Sequence, residues 1–285
     1  MLNVDWDDDD DVQDVMPAKK ARRRGPMKVQ KCDKVQKRPA LQKTPRQRIM
    51  KHVPTAESVL GHIDKHPLPE AADEIRPCED TILVGSVCSG LCAELWSLNG
   101  MGRRFRATFC CESNAGLRKL SMSMHTHDYV FCDVFLEDWM AVSCDLFFAG
   151  FPCQGFSECQ PAGTAGLTHI SGSCIFPILR YIRHRRPPMF CLENVRGLLT
   201  LYPETFAMIL GVLDGMTDER GRKLLLYCIL RESYSVSWKV LDTCRVTTLP
   251  QHRERLFVTG CLTSAMQRPM SWPPEAMVSM NVICP

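Results

Sequence analysis

Three short stretches carry side chains whose types and spacing could do chemistry. In FPCQGFS, residues 151–157, Cys153 follows Pro152 just where an apolar run stops. In LENV, residues 192–195, Glu193 ends a run otherwise made of Met189, Phe190, Cys191 and Leu192. In QHRER, residues 251–255, Gln251 precedes Arg253 and Arg255, which lie two apart and share a face on an extended segment. A thiol is a useful nucleophile when it is partly exposed and easily ionised. A carboxyl partly withdrawn from water holds a proton closer to neutrality. Together they can add a nucleophile to an electron-poor ring while protonating a ring nitrogen, and the arginines can bind an anionic or carbonyl-bearing substrate. Each residue alone has a plainer reading. One cysteine among 16 is ordinarily a packing residue, and isolated arginines ordinarily form a solvated basic edge.

The elements that must position these groups begin after residue 80. ILVGSVCSG, residues 82–90, is a short apolar run ending at glycine, as a buried parallel strand entering a tight turn does. Residues 91–100 then read as a helix, with Leu91, Leu95 and Leu98 at helical spacing. Strands are predicted over 106–112, 129–133, 144–150 and 188–195. Helices are predicted over 114–125, where Asn114 can cap, over 173–186 and over 205–216. Two late strands follow, at 236–242 and 255–260. This alternation predicts a doubly wound, mostly parallel Rossmann-like α/β sheet with an antiparallel late strand. Ligands of such sheets bind beyond the carboxyl ends of the strands. There stand Glu112, Asp133, Pro152 with Cys153, and Glu193 with Asn194. Glu112 follows Gly90 by 22 positions, near the ~20 at which an acid meets a ribose. A nucleoside-bearing cofactor is the expectation, with Asp133 beside its base.

Charge divides the chain. Residues 1–16 carry seven Asp and no Lys or Arg, and residues 17–51 carry 14 Lys or Arg against the one acid Asp33. Such blocks bury too little apolar surface to offset chain entropy. Residues 1–78 are therefore expected as a disordered tail, with at most a short helix near 56–62, and 79–285 as the folded domain. The basic cluster AKKARRRG, residues 18–25, reads as a nuclear import signal, as a phosphate contact or as a merely solvated tail. No run of apolar residues is long enough to cross a membrane. The start lacks the basic and apolar regions of a signal peptide, so the cysteines are expected as thiols in a reducing compartment. No C-x-x-C pair occurs, and no metal site is expected. Oligomeric state is not legible.

The ordered set VCSGLCAEL, FPCQGFS, LENVRGLL and PQHRERLFVTG resembles the cytosine-5 DNA methyltransferase family over about residues 81–273. The resemblance implies a methyltransferase using S-adenosyl-L-methionine on cytosine in double-stranded DNA, in the nucleus. It implies that Cys153 attacks C6 of a cytosine rotated out of the helix stack, that Glu193 contacts N3, and that Arg253 and Arg255 steady the base, with Gln251 supporting. The implied cofactor residues are Cys88, Ser89, Gly90, Leu91, Glu112, Asp133, Val134 and Pro152. The loop from Gly155 to about Gly166 would close over the site.

The pattern is also broken. Cys88 stands where the family has an aromatic residue, and Cys92 and Ala93 stand at later glycine positions, where their side chains are expected to crowd the cofactor. No Gly-Asn motif or recognition region follows QHRERLFVTG, so the chain reads as a fragment or a shortened relative. Two other readings stay open: a transfer-RNA cytosine-5 methyltransferase, and a non-catalytic chromatin-binding remnant.

Overall fold

The computed structural model describes residues 53–68, 71, 78, 80–156, 166–215, 234–247, 249–266 and 271–274. The acidic and basic blocks of the tail lie outside the described residues, as does most of the 155–166 loop. The strands are β1 (Ile82–Val87), β2 (Phe105–Cys111), β3 (His127–Phe131), β4 (Leu146–Ala149), β5 (Met189–Val195), β6 (Tyr234–Asp242) and β7 (Glu254–Leu262). The helices are α1 (Ala56–Lys65), α2 (Ala93–Gly100), α3 (Ala115–Met124), α4 (Ile170–Ser173), α5 (Ile175–Arg185), α6 (Gly197–Thr200), α7 (Pro203–Gly215) and α8 (Thr243–Val246).

The strands form one sheet in the order β3-β2-β1-β4-β5-β7-β6. Pairs from β3 through β5 are parallel, and β7 runs antiparallel to both neighbours. The doubly wound, mostly parallel α/β sheet with its antiparallel late strand is thus present. β1, inside the sheet between β2 and β4, is buried along nearly its whole length, as a strand covered on both faces must be. In β5 half-buried and buried residues alternate after an exposed first residue, so its two faces differ.

Two cores flank the sheet. The larger contains Trp139, Phe147 and Tyr181, all 0% exposed, beneath α5 and α7. Phe147 and Tyr181 lie ring to ring at 4.5 Å. Full burial of one such ring contributes about 1.5–3 kcal/mol. The smaller core gathers Val84, Leu95, Leu98, Ala107 and Val130 around Cys92 and Cys110, under α2.

Two expected boundaries shift. α2 starts at Ala93 rather than 91, because Cys92 is held in the left-handed region at φ 53°. The folded body also begins before residue 79. α1 is capped by the Thr55 side chain and buries Val59 and Ile63. Arg183 pairs with Asp64 at 3.0 Å, Arg180 Nε donates to the His66 carbonyl, and Ala56 lies against Gly211 of α7. Amphipathic spacing inside a short helix flanked by charge was too weak to show that α1 had a surface to bury against.

Candidate active site

Register places the predicted residues on one edge. Val87 is level with Cys111 on one side and Ala149 on the other. Cys111 is level with Phe131, and Ala149 with Leu192. Residues 88–91, 112, 133, 150–153 and 193–194 therefore all emerge just beyond one line across the sheet. β7 begins at this same edge, with Arg255 opposite Val195.

At the β4–β5 end, Cys153 opens a 3-10 turn, Cys153–Gly155, with Pro152 before it. Cys153 is half-buried, whereas Phe151 and Phe156 on either side are buried, so the turn is anchored with its cysteine partly open to solvent. Asn194 is 2% exposed and donates from Nδ2 to the Phe151 carbonyl at 3.1 Å. Its Oδ1 accepts from the Val195 N–H, so the amide is satisfied on both ends. From below, α6 presses its first residue against the turn: a Cβ at Gly197 would stand 2.2 Å from the Phe156 carbonyl oxygen, so only glycine fits.

Glu193 and Arg255 project from the same face of neighbouring strands and pair at 2.9 Å, Nε to Oε1. The other carboxylate oxygen lies beside Gly150, 3.5 Å from where a Cβ would be, and that same position is 3.7 Å from the Cys88 carbonyl. The Glu193 carboxylate thus reaches the end of β4. Two residues back, burial and the neighbouring Glu193 charge push the Cys191 thiol up to about 12. Cys191 is a packing thiol.

Arg253 does not share the position of Arg255. β7 begins only at Glu254, so Arg253 lies in the preceding turn and strand alternation does not apply to it. Asp242 shapes that turn. Its carboxylate accepts from the Arg253 N–H at 2.9 Å and pairs with His252 at 3.0 Å. The His252 hydrogen bond comes first among the causes that hold Asp242 well below the usual carboxylate range. Gln251 and Arg253 are exposed, and the structure gives neither side chain a partner among the described residues.

At the β1–β3 end the acids hold backbone. Glu112 accepts from the Gly90 N–H and the Asn114 N–H, each at 2.8 Å, one on each oxygen. Asp133 Oδ1 accepts from the Phe135 N–H. Ser89 bonds the Cys111 backbone through its hydroxyl and its N–H. Leu91 is half-buried, while Val134 is buried and its carbonyl is taken by Trp139 Nε1. The loop is wound tightly, with positive φ at Cys88 (51°), Gly90 (54°) and Cys92 (53°). Cys88 meets Cys174, and that hydrogen bond, followed by burial, raises its thiol well above the ordinary range. The expected crowding at Cys92 and Ala93 does not occur. Cys92 turns beneath the loop at 0% exposure, and Ala93 faces solvent.

The loop suits a nucleoside. Open space surrounds the Cβ position of Gly90. A carboxylate offers about four acceptor positions, so Glu112 keeps capacity for ribose hydroxyls after its two backbone bonds. Sequence reasoning did not give Asn194, Gly197 and Asp242 the positioning roles they have here. The first two stand inside the quoted LENVRGLL, whereas Asp242 had no signal beyond ending a predicted strand.

The sheet and its edge define a methyltransferase-type doubly wound α/β fold. The family model for C-5 cytosine-specific DNA methylase matches residues 123–281, more than half of the chain. Type II methyltransferase M.BsuFI of Bacillus subtilis is 34% identical over 143 residues, covering 49% of this chain and 30% of that one. Type II methyltransferase M.HpaII of Haemophilus parainfluenzae is 30% identical over 152 residues, 51% of this chain and 37% of that one. The solved structure of S. pombe Dnmt2 methyltransferase covers 67% of this chain and 52% of its own, at TM-score 0.49 and 16% identity. The chain belongs to the C-5 cytosine-specific DNA methylase family, and it matches about a third of the length of these two bacterial relatives.

Proposed function

We propose that this chain carries the catalytic edge of a DNA cytosine-5 methyltransferase that uses S-adenosyl-L-methionine. The carrying observation is the Cys153 turn, locked by Asn194 beside a strand-borne Glu193–Arg255 pair on one sheet edge. Glu112, Gly90 and Asp133 would hold the adenosine part of the cofactor, whose sulfonium supplies an electrophilic methyl group. The chain's own residues do the rest. Cys153 Sγ forms a bond to C6 of an extrahelical cytosine. The thiolate pair becomes the C6–S bond and displaces the ring π electrons toward N3, where Glu193 supplies a proton, and the resulting enamine is nucleophilic at C5. Arg255 fixes the orientation of Glu193. After C5 accepts the methyl group, its proton is lost to a base and the C6–S bond breaks, which returns the thiolate. The exposed Gln251 and Arg253 face outward, where a nucleic-acid backbone would lie. Double-stranded DNA is the substrate of this reading, and the match to the DNA methylase family supports it. The basic cluster at 18–25 remains our reading for nuclear entry.

A duplex bearing 5-fluorocytosine tests this, because fluorine at C5 blocks the final proton loss and traps the adduct. Incubated with S-adenosyl-L-methionine, the full chain should give a denaturation-resistant complex, and Cys153→Ser should give none. An equal adduct from Cys153→Ser would rule out the assigned nucleophile. A single-stranded or transfer-RNA substrate trapped in preference to duplex would move the reading to RNA.

A further inference from the structure

The lack of any C-x-x-C pair argues against a metal site when only the sequence is read. The fold nevertheless brings Cys92, Cys110 and His127 together, with one donor atom of each within 4.8 Å of the others. Cys92 closes the loop after β1, Cys110 lies in β2, and His127 opens β3. Their exposures are 0%, 1% and 2%. Ser121 of α3, also buried, places Oγ 3.3 Å from Cys92 Sγ and 3.3 Å from His127 Nε2. His127 Nδ1 is buried without a hydrogen-bond partner. Two sulfurs, an imidazole and a hydroxyl are thus sealed in the smaller apolar core, which is a costly place for polar groups that have only one another.

The geometry points to a structural zinc ion held by Cys92, Cys110 and His127, with the Ser121 hydroxyl at the fourth corner. Zinc bonds of about 2.3 Å to sulfur and about 2.0 Å to nitrogen or oxygen put tetrahedral donors about 3.3–3.8 Å apart. Both Ser121 separations, 3.3 Å, already have that spacing. Binding would release two thiol protons to solvent and leave two thiolates, a neutral imidazole and a divalent cation. Their charges cancel, as a buried site requires. A monovalent copper ion would leave a net negative charge, and magnesium or calcium would want oxygen donors. The ion ties the strained loop after β1 to β2, β3 and α3. It also anchors the start of α2, which has no side-chain cap.

The test uses the full chain, purified under reducing conditions and passed over a weak chelator before elemental analysis. One zinc per chain is expected. Cys110→Ser and His127→Ala should lose it, while Cys244→Ser combined with His252→Ala, which removes the exposed Asp242, Cys244 and His252 cluster, should keep it. Cobalt(II) in place of zinc should show sulfur-to-cobalt charge-transfer absorption at the strength of two thiolates. Ser121→Cys, nearly isosteric, should raise it by half. The proposal is overturned by a wild-type chain without zinc or cobalt–thiolate absorption, by metal retained in folded Cys110→Ser, or by metal that follows Cys244 and His252. Unchanged absorption in folded Ser121→Cys overturns it as well. Should Cys110→Ser and His127→Ala fail to fold, the wild-type cobalt spectrum and the Ser121→Cys increment decide in the same way.

Discussion

At the end of β5 the charged side chains bond each other, whereas at the ends of β1, β2 and β3 the acids bond backbone. Glu193 meets Arg255, and both ride on strands whose ladders fix them from each side. Glu112 and Asp133 instead spend their oxygens on the amides of Gly90, Asn114 and Phe135. The first half of the edge holds its charged pair between two hydrogen-bonded strands. In the second, acids shape a loop, and the loop shapes the pocket. A substitution in the first half should therefore act on the chemical step, and one in the second on cofactor affinity.

The largest effect should come from Glu193→Gln, which keeps size but cannot supply a proton at N3. Loss of general acid assistance predicts about a 10²- to 10⁴-fold fall in kcat for methyl transfer, with KM for DNA little changed. A fall confined to KM would break the contrast between the halves. Asn194→Ala comes next. It leaves the buried Phe151 carbonyl without its donor, at a cost of about 1–3 kcal/mol, so the melting temperature should drop by several degrees and kcat should fall with it. Unchanged melting with lowered kcat would mean that Asn194 acts on substrate and not through the turn.

Glu112→Gln sharpens the other side. The amide can accept only through its oxygen, so one of the two loop amides loses its partner. Cofactor affinity, read by calorimetric titration, should weaken about tenfold, or ~1.4 kcal/mol, while kcat at saturation stays near wild type. The smallest effect concerns Asp242. A carboxylate whose pKa is depressed on folding contributes fully above its unfolded value, near 4, and that contribution is lost progressively as pH falls from there through the lower folded value. Wild type and Asp242→Asn should therefore differ in melting temperature at pH 7, and the difference should narrow as pH falls below about 4. A difference that grows on acidification would contradict the sign.

Much of this was legible along the chain. Alternating apolar runs and turn residues gave the strand–helix order, because burial on both faces leaves the same mark in every central strand. The Asn114 cap of α3 and the strand-end positions of Glu112, Cys153 and Glu193 also followed from local chemistry. The parting of Arg253 from Arg255 did not follow, since it depends on Asp242 reaching across eleven residues to a backbone amide. Nor did the docking of α1, whose partners Arg180 and Arg183 lie more than a hundred positions away.

By itself, then, the sequence determined which groups could react and which segments would carry them, because periodicity and residue type act over a few neighbours. Only the tertiary structure decided what those groups face. Cys92, Cys110 and His127 span 35 positions with no ligand spacing between them, and they meet because the loop after β1 packs Cys92 into one core with β2 and its parallel neighbour β3. Cys92 looked like an obstruction at a glycine position. A left-handed backbone at that one residue sends its sulfur beneath the loop instead of into the pocket.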